Sequence, residues 1–385
     1  MEKEGSNHHS QRSALLCYAN PENDADLFYF GRVFVPDPFI AFGIDGKKYA
    51  LVNRLEFNRV QHESAFDEVL PLETWLKKTK DAFNLPRAET ADVICLIKKE
   101  WQINRFCIGP QFPAGVALEL LAKGVKLVVE DKGLFPDRRL KTKEECIAIR
   151  ESNTSAAAGI RTAQTLLESS TIQDGLLYFE DKPLTSEYIQ REIAITCLQN
   201  GTSVNHTIVA GGDDACDPHC TGSGPLRANE LIIVDVFPRS SLSGYYGDMT
   251  RTFLKGKASH EQRRLVQAVQ EAQKLAIEQL HNNAEASQVH EAAAAHFRKE
   301  GFLDHQDGDI HQGFLHGTGH GLGLEIHESP SVSPRGGRLN TGMVVTIEPG
   351  LYYHGRGACR IEDVFCITDT GAEPLSNYPY DWEID

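Results

Sequence analysis

The chain has little of what marks a membrane, secreted or nucleic-acid-binding protein. No apolar run in its 385 residues reaches the roughly 18 residues needed to span a bilayer. The polar N-terminus, MEKEGSNHHSQRS, lacks the apolar stretch of a signal peptide. Lysine and arginine number 39 against 54 aspartate and glutamate, for a net charge of −15. Because nucleic acid and anionic membranes attract basic patches, we expect neither as a partner.

The cysteines also lack a pattern. There are nine, an odd number, without the spacing of a disulfide framework, which indicates reduced thiols in a cytoplasmic protein. The one cluster, CDPHC at 216–220, has no second cysteine pair at the spacing that a structural zinc site usually needs. We therefore expect a cytoplasmic protein with no structural zinc at this cluster.

Short strands alternate with helices in the first part of the chain. This alternation predicts an α/β domain. The predicted strands cover 39–42, 49–52, 105–108 and 126–130, and the predicted helices cover 89–101 and 114–122.

The domain boundary is expected in DKGLFPDRRLKTK (131–143), where Thr142 and Glu145 form a capping box for a following helix. Apolar segments beyond it, LIIVDVF, MVVTIEP and CRIEDVFCI, predict strands that carry acidic residues. We therefore divide the chain into domains 1–140 and 141–385, the second mixing sheet and helix. Its helices are predicted from about 143 and near 186–200, 260–281 and 287–300.

Five residues in the last third of the chain have side chains that bind hard metal ions. In chain order they are Asp235, Asp248, His320, Glu348 and Glu362, each in its own short motif. Four carboxylates and one imidazole suit a pair of Mn²⁺-like ions better than a structural zinc. Two such ions can hold a hydroxide between them and polarise a carbonyl, which is the chemistry of amide hydrolysis.

Each acidic residue alone has an ordinary alternative. Asp235 interrupts an apolar run, where a buried carboxylate is costly unless paired or metal-bound, but it could cap a turn. Asp248 could be an exposed loop residue paired with Arg251. Glu348 and Glu362 could form surface salt bridges. The occurrence of all five together favours the metal site.

The segment HGTGHGLGLEIHESP carries His316, His320 and His327 among four glycines. The glycines disfavour a helix and let the backbone approach a ligand closely. The segment lacks the second histidine of the zinc-protease helix motif. A solvated loop is the alternative. Further on, period-2 alternation in CRIEDVFCI predicts Arg360 and Glu362 on one strand face, and Arg360 could orient a ligating carboxylate.

Together these motifs resemble the pita-bread metallopeptidase family, which includes prolidase, aminopeptidase P, methionine aminopeptidase and creatinase. The resemblance covers about 143–385. It is carried by PH at 218–219, VD at Asp235, DMTRTF at Asp248, HGTGHGLGLEIHESP, TIEPGLYY and RIEDVF. The first domain is similar to the creatinase-like N-terminal domain by position and α/β pattern. The implied fold is an α/β N-terminal domain followed by an α+β pita-bread catalytic domain.

The resemblance implies a distribution of metal ligands. Asp235 would bind one ion, and His320 and Glu348 the other. Asp248 and Glu362 would bridge both. The implied cofactors are two divalent ions, Mn²⁺ foremost, with Co²⁺ or Zn²⁺ as alternatives.

It also implies roles in catalysis. Glu348 would manage the proton of the attacking hydroxide. His219 and His327 would contact the scissile amide and stabilise the tetrahedral intermediate. His316 would line the substrate site. Arg360 belongs to the same substrate-binding set and would buttress a metal carboxylate.

The implied function is hydrolysis of Xaa-Pro bonds by a homodimer whose first domain caps the site and limits substrate length. Prolidases act on dipeptides and aminopeptidase P on longer peptides, and both share these motifs. A methionine aminopeptidase-like exopeptidase is an enzyme alternative, although such relatives generally lack the first histidine of HGTGH. Creatinase-type hydrolysis is weaker still, because those relatives lose the metal ligands. A pita-bread binding module without catalysis is the alternative of another class, although such relatives have typically lost several ligands.

The chain departs from the family pattern between the two aspartates. Phe237 stands where the family usually has glycine. The spacing from Asp235 to Asp248 is two residues longer than usual. We therefore expect an enlarged hairpin or loop at RSSLSGYY (239–246), which could reshape the substrate pocket.

Overall fold

The computed structural model describes residues 12–308 and 310–385, and the chain divides into two compact units between Arg138 and Arg139. This division falls within the segment 131–143 in which the sequence places the domain boundary. Residues 1–11, where the sequence has no signal peptide pattern, lie outside the described residues. Within the described ranges, no helix combines the length and apolar character required to cross a membrane.

The first unit is built on a six-stranded mixed sheet in the order β4-β3-β2-β1-β5-β6. One face packs against α3, α4 and α5, and the other against α1 and α2, so the predicted α/β domain is confirmed. The strands are β1 (Ser13–Ala19), β2 (Phe39–Ile44), β3 (Lys47–Val52), β4 (Glu68–Pro71), β5 (Arg105–Ile108) and β6 (Lys126–Val129). The helices are α1 (Ala25–Gly31), α2 (Phe57–Glu63), α3 (Leu72–Phe83), α4 (Thr90–Glu100) and α5 (Ala114–Ala122).

The second unit contains two larger sheets, β11-β12-β14-β24 and β18-β17-β19-β22-β23, with smaller sheets around them. Its helices are α6 (Lys143–Ser169), α7 (Ser186–Gln199), α8 (His260–Ile277) and α9 (Ala286–Lys299). Its first strands are β7 (Thr171–Gln173), β8 (Leu176–Phe179), β9 (Lys182–Pro183), β10 (Thr202–Ser203), β11 (Ile208–Gly211), β12 (Ile232–Val236), β13 (Arg239–Ser240), β14 (Met249–Lys255) and β15 (His305–Asp307). The remaining strands are β16 (Ile310–Gln312), β17 (Gly319–Gly321), β18 (Glu328–Val332), β19 (Val344–Ile347), β20 (Gly350–Tyr353), β21 (Gly357–Arg360), β22 (Asp363–Thr368), β23 (Gly371–Pro374) and β24 (Glu383–Ile384).

Each of these two sheets is covered by its own helix pair. The first sheet shares a hydrophobic core with α6 and α7, and the second shares one with α8 and α9. Because side chains alternate between the two faces of a strand, the other face of each sheet is free to carry polar groups. The site described below is built on those other faces.

Most predicted helices of this unit are confirmed. Thr142 and Glu145 form the expected capping box at the start of α6. Helix α8 ends at Ile277 rather than 281, because the next turn tightens, with Gln279 N–H donating to the carbonyl of Ala276.

The single strand predicted for CRIEDVFCI is wrong. Strand β21 ends at Arg360 and pairs with β20, whereas β22 begins at Asp363 and pairs with β19. The chain passes from one sheet to another at Ile361 and Glu362, so the acidic residue lies in the link between two strands.

Candidate metal centre

Two of the predicted ligands, Asp235 and Asp248, come from the hairpin formed by β12 and β14. In β12, Ile232 and Val234 pack in the core with α6 and α7, so Asp235 lies on the opposite face. Asp248 directly precedes β14, and its backbone N–H donates to Oδ1 of Asn153 at 3.0 Å. Asp235 and Asp248 are 8% and 4% exposed.

The other three ligands come from the second large sheet and its connections. His320 is the middle residue of β17. Glu348 directly follows β19, whose Val345 and Ile347 pack in the core with α8 and α9. Because side chains alternate along a strand, Glu348 points away from these helices. Glu362 lies in the link after β21.

Three carboxylates surround the Nε2 atom of His320. Nε2 lies 3.6 Å from Oδ2 of Asp248, 3.6 Å from Oε1 of Glu348 and 3.9 Å from Oε1 of Glu362. The Nδ1 atom lies 3.1 Å from the carbonyl oxygen of Gly321, which can only accept, so Nδ1 carries the proton. Burial, reinforced by His327, lowers the pKa of His320 to about 4. An unprotonated nitrogen therefore faces three acidic groups.

Two of the carboxylates each use one oxygen within the protein and leave the other open. Oδ2 of Asp235 accepts from Nη2 of Arg360 at 2.8 Å, and Oε2 of Glu362 accepts from the hydroxyl of Thr250 at 2.8 Å. The second oxygens, Oδ1 of Asp235 and Oε1 of Glu362, are buried without a hydrogen-bond partner among the described residues. Buried polar atoms are normally satisfied, and a bound cation would satisfy these two.

The acidic groups also raise one another's pKa. Burial, followed by the charge of Glu362, raises the pKa of Asp248 and of Glu348 well above the ordinary values. Burial and the charge of Asp235 raise the pKa of Glu362 to about 8. So many carboxylates in one buried site ionise together only with compensating positive charge. The donor set thus fits a pair of divalent ions that prefer oxygen and imidazole ligands.

Behind these groups, Arg360, Tyr352 and His316 form a buried chain of hydrogen bonds. Nη1 of Arg360 donates to the Tyr352 hydroxyl at 2.9 Å. That hydroxyl lies 2.7 Å from Nε2 of His316, whose Nδ1 lies 2.7 Å from the carbonyl oxygen of Gly317. Burial, reinforced by the charge of Arg360, lowers the pKa of His316 to about 3. His316 is therefore neutral, with both nitrogens bonded to protein atoms.

The two remaining predicted histidines are exposed. The ring of His327 meets that of His320 edge-on, with ring centres 4.4 Å apart. Nη1 of Arg360 donates to the carbonyl oxygen of Pro218 at 3.2 Å, which anchors the segment carrying His219. Burial, followed by the influence of His219, lowers the pKa of His327. The nine predicted site residues thus lie in one region.

The ordinary alternatives for the acidic residues are wrong. Asp248 is buried and does not pair with Arg251, which forms a buried ion pair with Asp363 at 2.9 Å instead. Asp235 lies inside a strand rather than at a turn. Glu348 and Glu362 face the interior site rather than surface cations.

Several supporting residues were not predicted. Thr250 lies opposite Asp235 in the β12–β14 ladder and bonds Glu362, so it joins the two ligand-bearing sheets. Tyr352 lies in the TIEPGLYY motif, which by itself predicts no role for this residue. Asn153, in α6, supports Asp248 across 95 positions of sequence. The threonine and asparagine have no local sequence signal, because their partners come from remote strands and helices.

The glycine-rich segment is packed closely against its neighbours. A Cβ atom at Gly319 would overlap the carbonyl oxygen of Thr346 in β19. The backbone N–H of Glu348 donates to the carbonyl oxygen of Thr318 at 2.7 Å. The backbones carrying His320 and Glu348 are thereby held in direct contact.

The connection between β12 and β14 is a hairpin that contains a short strand of its own. Its short strand β13 pairs with β10, and Ser240 N–H donates to the carbonyl of Tyr245. The backbone N–H of Tyr246 donates to the carbonyl of Gly323 at 2.9 Å. The hairpin therefore contacts the histidine-bearing segment.

Comparisons with known proteins agree with this architecture. A prolidase from Pyrococcus furiosus has a TM-score of 0.77 at 24% identity, covering 96% of this chain and 97% of that one. An X-Pro aminopeptidase from Thermotoga maritima has a TM-score of 0.79 at 22% identity, covering 97% and 98%. The fold class is therefore the α/β domain followed by a pita-bread domain.

The family follows from the sequence match. Residues 148–369 match metallopeptidase family M24, and the chain belongs to that family. The chain is 36% identical over 172 residues to a Xaa-Pro dipeptidase of Pyrococcus furiosus, which covers 44% of this chain and 47% of that protein. The chain spans about half the length of such curated relatives in these matches.

Proposed function

We propose that this protein is a di-metal peptidase that hydrolyses Xaa-Pro bonds, at the N-terminus of peptides or in dipeptides. The observation that carries the proposal is the unprotonated Nε2 of His320 among three carboxylates, beside buried carboxylate oxygens that lack partners among the described residues. This arrangement suits divalent cations that prefer oxygen and imidazole ligands. The proline preference is supported by relatives such as the Xaa-Pro dipeptidase of Pyrococcus furiosus.

The proposed ligand map follows the family resemblance. Asp235 would hold one ion, His320 and Glu348 would hold the other, and Asp248 and Glu362 would be shared by both. When bound, such a pair supplies a nucleophilic hydroxide at neutral pH and Lewis acidity at the scissile carbonyl. The mainly oxygen donor set favours Mn²⁺, with Co²⁺ or Zn²⁺ as alternatives.

Glu348 is proposed to move the proton. Its side chain is 17% exposed and stands at the edge of the acidic cluster. Burial and the charge of Glu362 raise its pKa, which makes its carboxylate a stronger base. It would accept the proton of the attacking water and deliver it to the leaving proline nitrogen.

The exposed histidines are proposed to act on the substrate. His327 is neutral because its pKa is lowered, and a neutral imidazole can still donate one N–H. His327 and His219 would donate to the carbonyl oxygen as it gains negative charge. Arg360, whose guanidinium bonds Asp235, Tyr352 and Pro218, would orient the site from behind. His316 would line the site through its ring.

We further propose catalytic and N-terminal domains at 141–385 and 1–140, a homodimer and a cytoplasmic location. The first domain of such a dimer would limit substrate length. Light scattering of the purified chain tests the dimer, since a monomer at micromolar concentration would contradict it.

The test of the function is product analysis with Mn²⁺-loaded protein offered Ala-Pro and Ala-Pro-Ala. Ala-Ala and Ala-Ala-Ala are the matched peptides without proline, and we expect them to remain uncut. Cleavage of Ala-Pro alone identifies a dipeptidase. Release of alanine from Ala-Pro-Ala identifies an aminopeptidase.

Other outcomes would contradict the proposal. Cleavage of Met-Ala-Ser with neither proline peptide cut would point to methionine aminopeptidase activity. Bound metal without cleavage of any peptide would favour a non-catalytic binding module.

A further inference from the structure

Cys146 and Cys366 form a thiol pair within the second unit. Their sulfur atoms lie 3.6 Å apart, although 220 positions separate them in the sequence. Cys146 is in the first turn of α6, and Cys366 is inside β22, where it pairs with Val344 and Glu373. The fold therefore brings two thiols from separate elements into contact.

Contacts on both sides of the pair hold the start of α6 against the sheet that contains β19, β22 and β23. Before it, the backbone N–H of Lys141 donates to the carbonyl of Gly342 at 2.7 Å. After it, Arg150 donates to Oε1 of Glu373 at 2.6 Å and to the carbonyl of Pro374 at 2.9 Å. For a disulfide to form, the sulfurs must move from 3.6 Å to the bonding distance of about 2.0 Å.

The two sulfurs differ in reactivity. The hydrogen bond from the Cys146 thiol lowers the pKa of Cys366 and raises that of Cys146. The positive charges of Lys141 and Arg150 also favour the thiolate of Cys366. Because the thiolate is the nucleophile, Cys366 reacts first. Cys366 is 8% exposed, so only a small oxidant reaches it.

We propose that Cys146 and Cys366 are an oxidative modification site at which hydrogen peroxide closes a disulfide between α6 and β22. The Cys366 thiolate attacks a peroxide oxygen, the O–O bond breaks, and the departing hydroxide takes up a proton to form water. The sulfur of Cys146 then attacks the sulfenic acid, and the S–O bond breaks. The proton of Cys146 leaves with the hydroxide as a second water. Two thiols lose two electrons, and the peroxide gains them.

The bond would stabilise the second unit. It closes a loop of 220 positions, and cross-links across long loops restrict the unfolded chain most. Glu362, a proposed ligand, directly precedes β22 and accepts a hydrogen bond from the hydroxyl of Thr250. The inference does not depend on the proposed peptidase activity.

The test is peptide mapping of the full-length, Mn²⁺-loaded protein after hydrogen peroxide treatment and alkylation of the remaining thiols. Trypsin cleavage after Lys143, Arg150 and Arg360 places Cys146 in 144–150 and Cys366 in 361–385, and Cys359 falls in a separate peptide. We expect the first two peptides to be linked and to separate on reduction with dithiothreitol. Alkylation of both cysteines after peroxide treatment would overturn the proposal.

Variants connect the bond to stability. Peroxide should raise the Tm of the natural chain, and dithiothreitol should reverse the rise. Cys146→Ser should abolish both the linked peptide and the Tm response. Cys95→Ser, which removes a partly buried thiol from the first unit, should retain both. A Tm rise that persists in Cys146→Ser would contradict the proposal, and the map of the natural chain decides it if that variant does not fold.

Discussion

The hydroxyl group of Tyr352 donates a hydrogen bond to Nε2 of His316 across 2.7 Å. The same hydroxyl accepts from Arg360, which donates to Asp235. A side chain outside the proposed ligand set thus connects His316, proposed to line the substrate site, to a proposed ligand. Two further residues of the site depend on this one oxygen atom for a hydrogen bond.

We therefore expect Tyr352→Phe to reduce both stability and catalysis. Loss of the hydroxyl leaves buried partners short of a hydrogen bond, which costs about 1–3 kcal/mol. The matched variant Tyr353→Phe removes a bond to the carbonyl of Leu303, which no predicted site residue shares. Thermal unfolding and kcat/KM should be measured for both. Equal kinetic losses would argue against a specific positioning role for Tyr352.

Glu348→Gln should lower kcat by several orders of magnitude without unfolding the protein. Removal of a general acid–base group typically costs about 10²–10⁴-fold, and Glu348 also binds metal in the proposed map. The measurement is kcat at saturating Mn²⁺, with metal content determined in parallel. Glu373→Gln, which alters an exposed ion pair with Arg150, is the control and should turn over normally. Near-normal turnover by Glu348→Gln would sink its proton-handling role.

Asp248→Asn should reduce the number of bound metal ions. An amide offers one neutral oxygen where the proposed bridge needs a carboxylate between two ions. Elemental analysis after dialysis gives the occupancy, with Asp381→Asn as the control at an exposed position. Two ions per chain in the Asp248 variant would show that the ligand map is incorrect.

The metal-free protein should lose stability as pH rises from about 6.5 to about 8. Asp248, Glu348 and Glu362 have raised pKa values when folded, so the folded chain keeps protons that the unfolded chain has released. Below about 6.5 the lowered pKa values of His316 and His320 oppose this, because there the unfolded chain binds the extra protons. The carboxylate effect is therefore seen alone only above that pH.

Urea unfolding across this pH range, in chelator and in excess Mn²⁺, measures the effect. Metal binding replaces the protons, so the slope should flatten or reverse with Mn²⁺ because the ions bind the ionised carboxylates. A stability that is constant from pH 6.5 to 8 in chelator would show that the acids are already ionised in the metal-free fold.

The adjacent residues Glu362 and Asp363 illustrate what the sequence alone could not predict about the site. They are adjacent and both buried, yet Asp363 accepts hydrogen bonds from Arg251, Gln273, Ser376 and Tyr380, whereas Oε1 of Glu362 has no partner among the described residues. The motif resemblance singled out Glu362. The residue pattern alone could not, because the donors around Asp363 come from remote elements.

The fold was easier to predict from the sequence than the contacts that support the site. Helix starts such as Thr142 with Glu145 are local, since capping involves residues three apart. The break between β21 and β22 could not be predicted locally, because it depends on the different strands with which the two pair. The chain from Arg360 through Tyr352 to His316 likewise depends on tertiary geometry.

Because any side chain at Gly319 would overlap the carbonyl oxygen of Thr346, the proposed metal site depends on close contact between two backbone segments. His320 and Glu348 are spaced by touching backbones, and Asp235 is clamped by Arg360, so the donor atoms are collected when the chain folds. Ion uptake at the proposed site would then need little reorganisation, and binding energy would be retained as affinity rather than used to order loops. The empty and loaded forms should accordingly be nearly superimposable, a preorganised cage rather than one assembled by its ions.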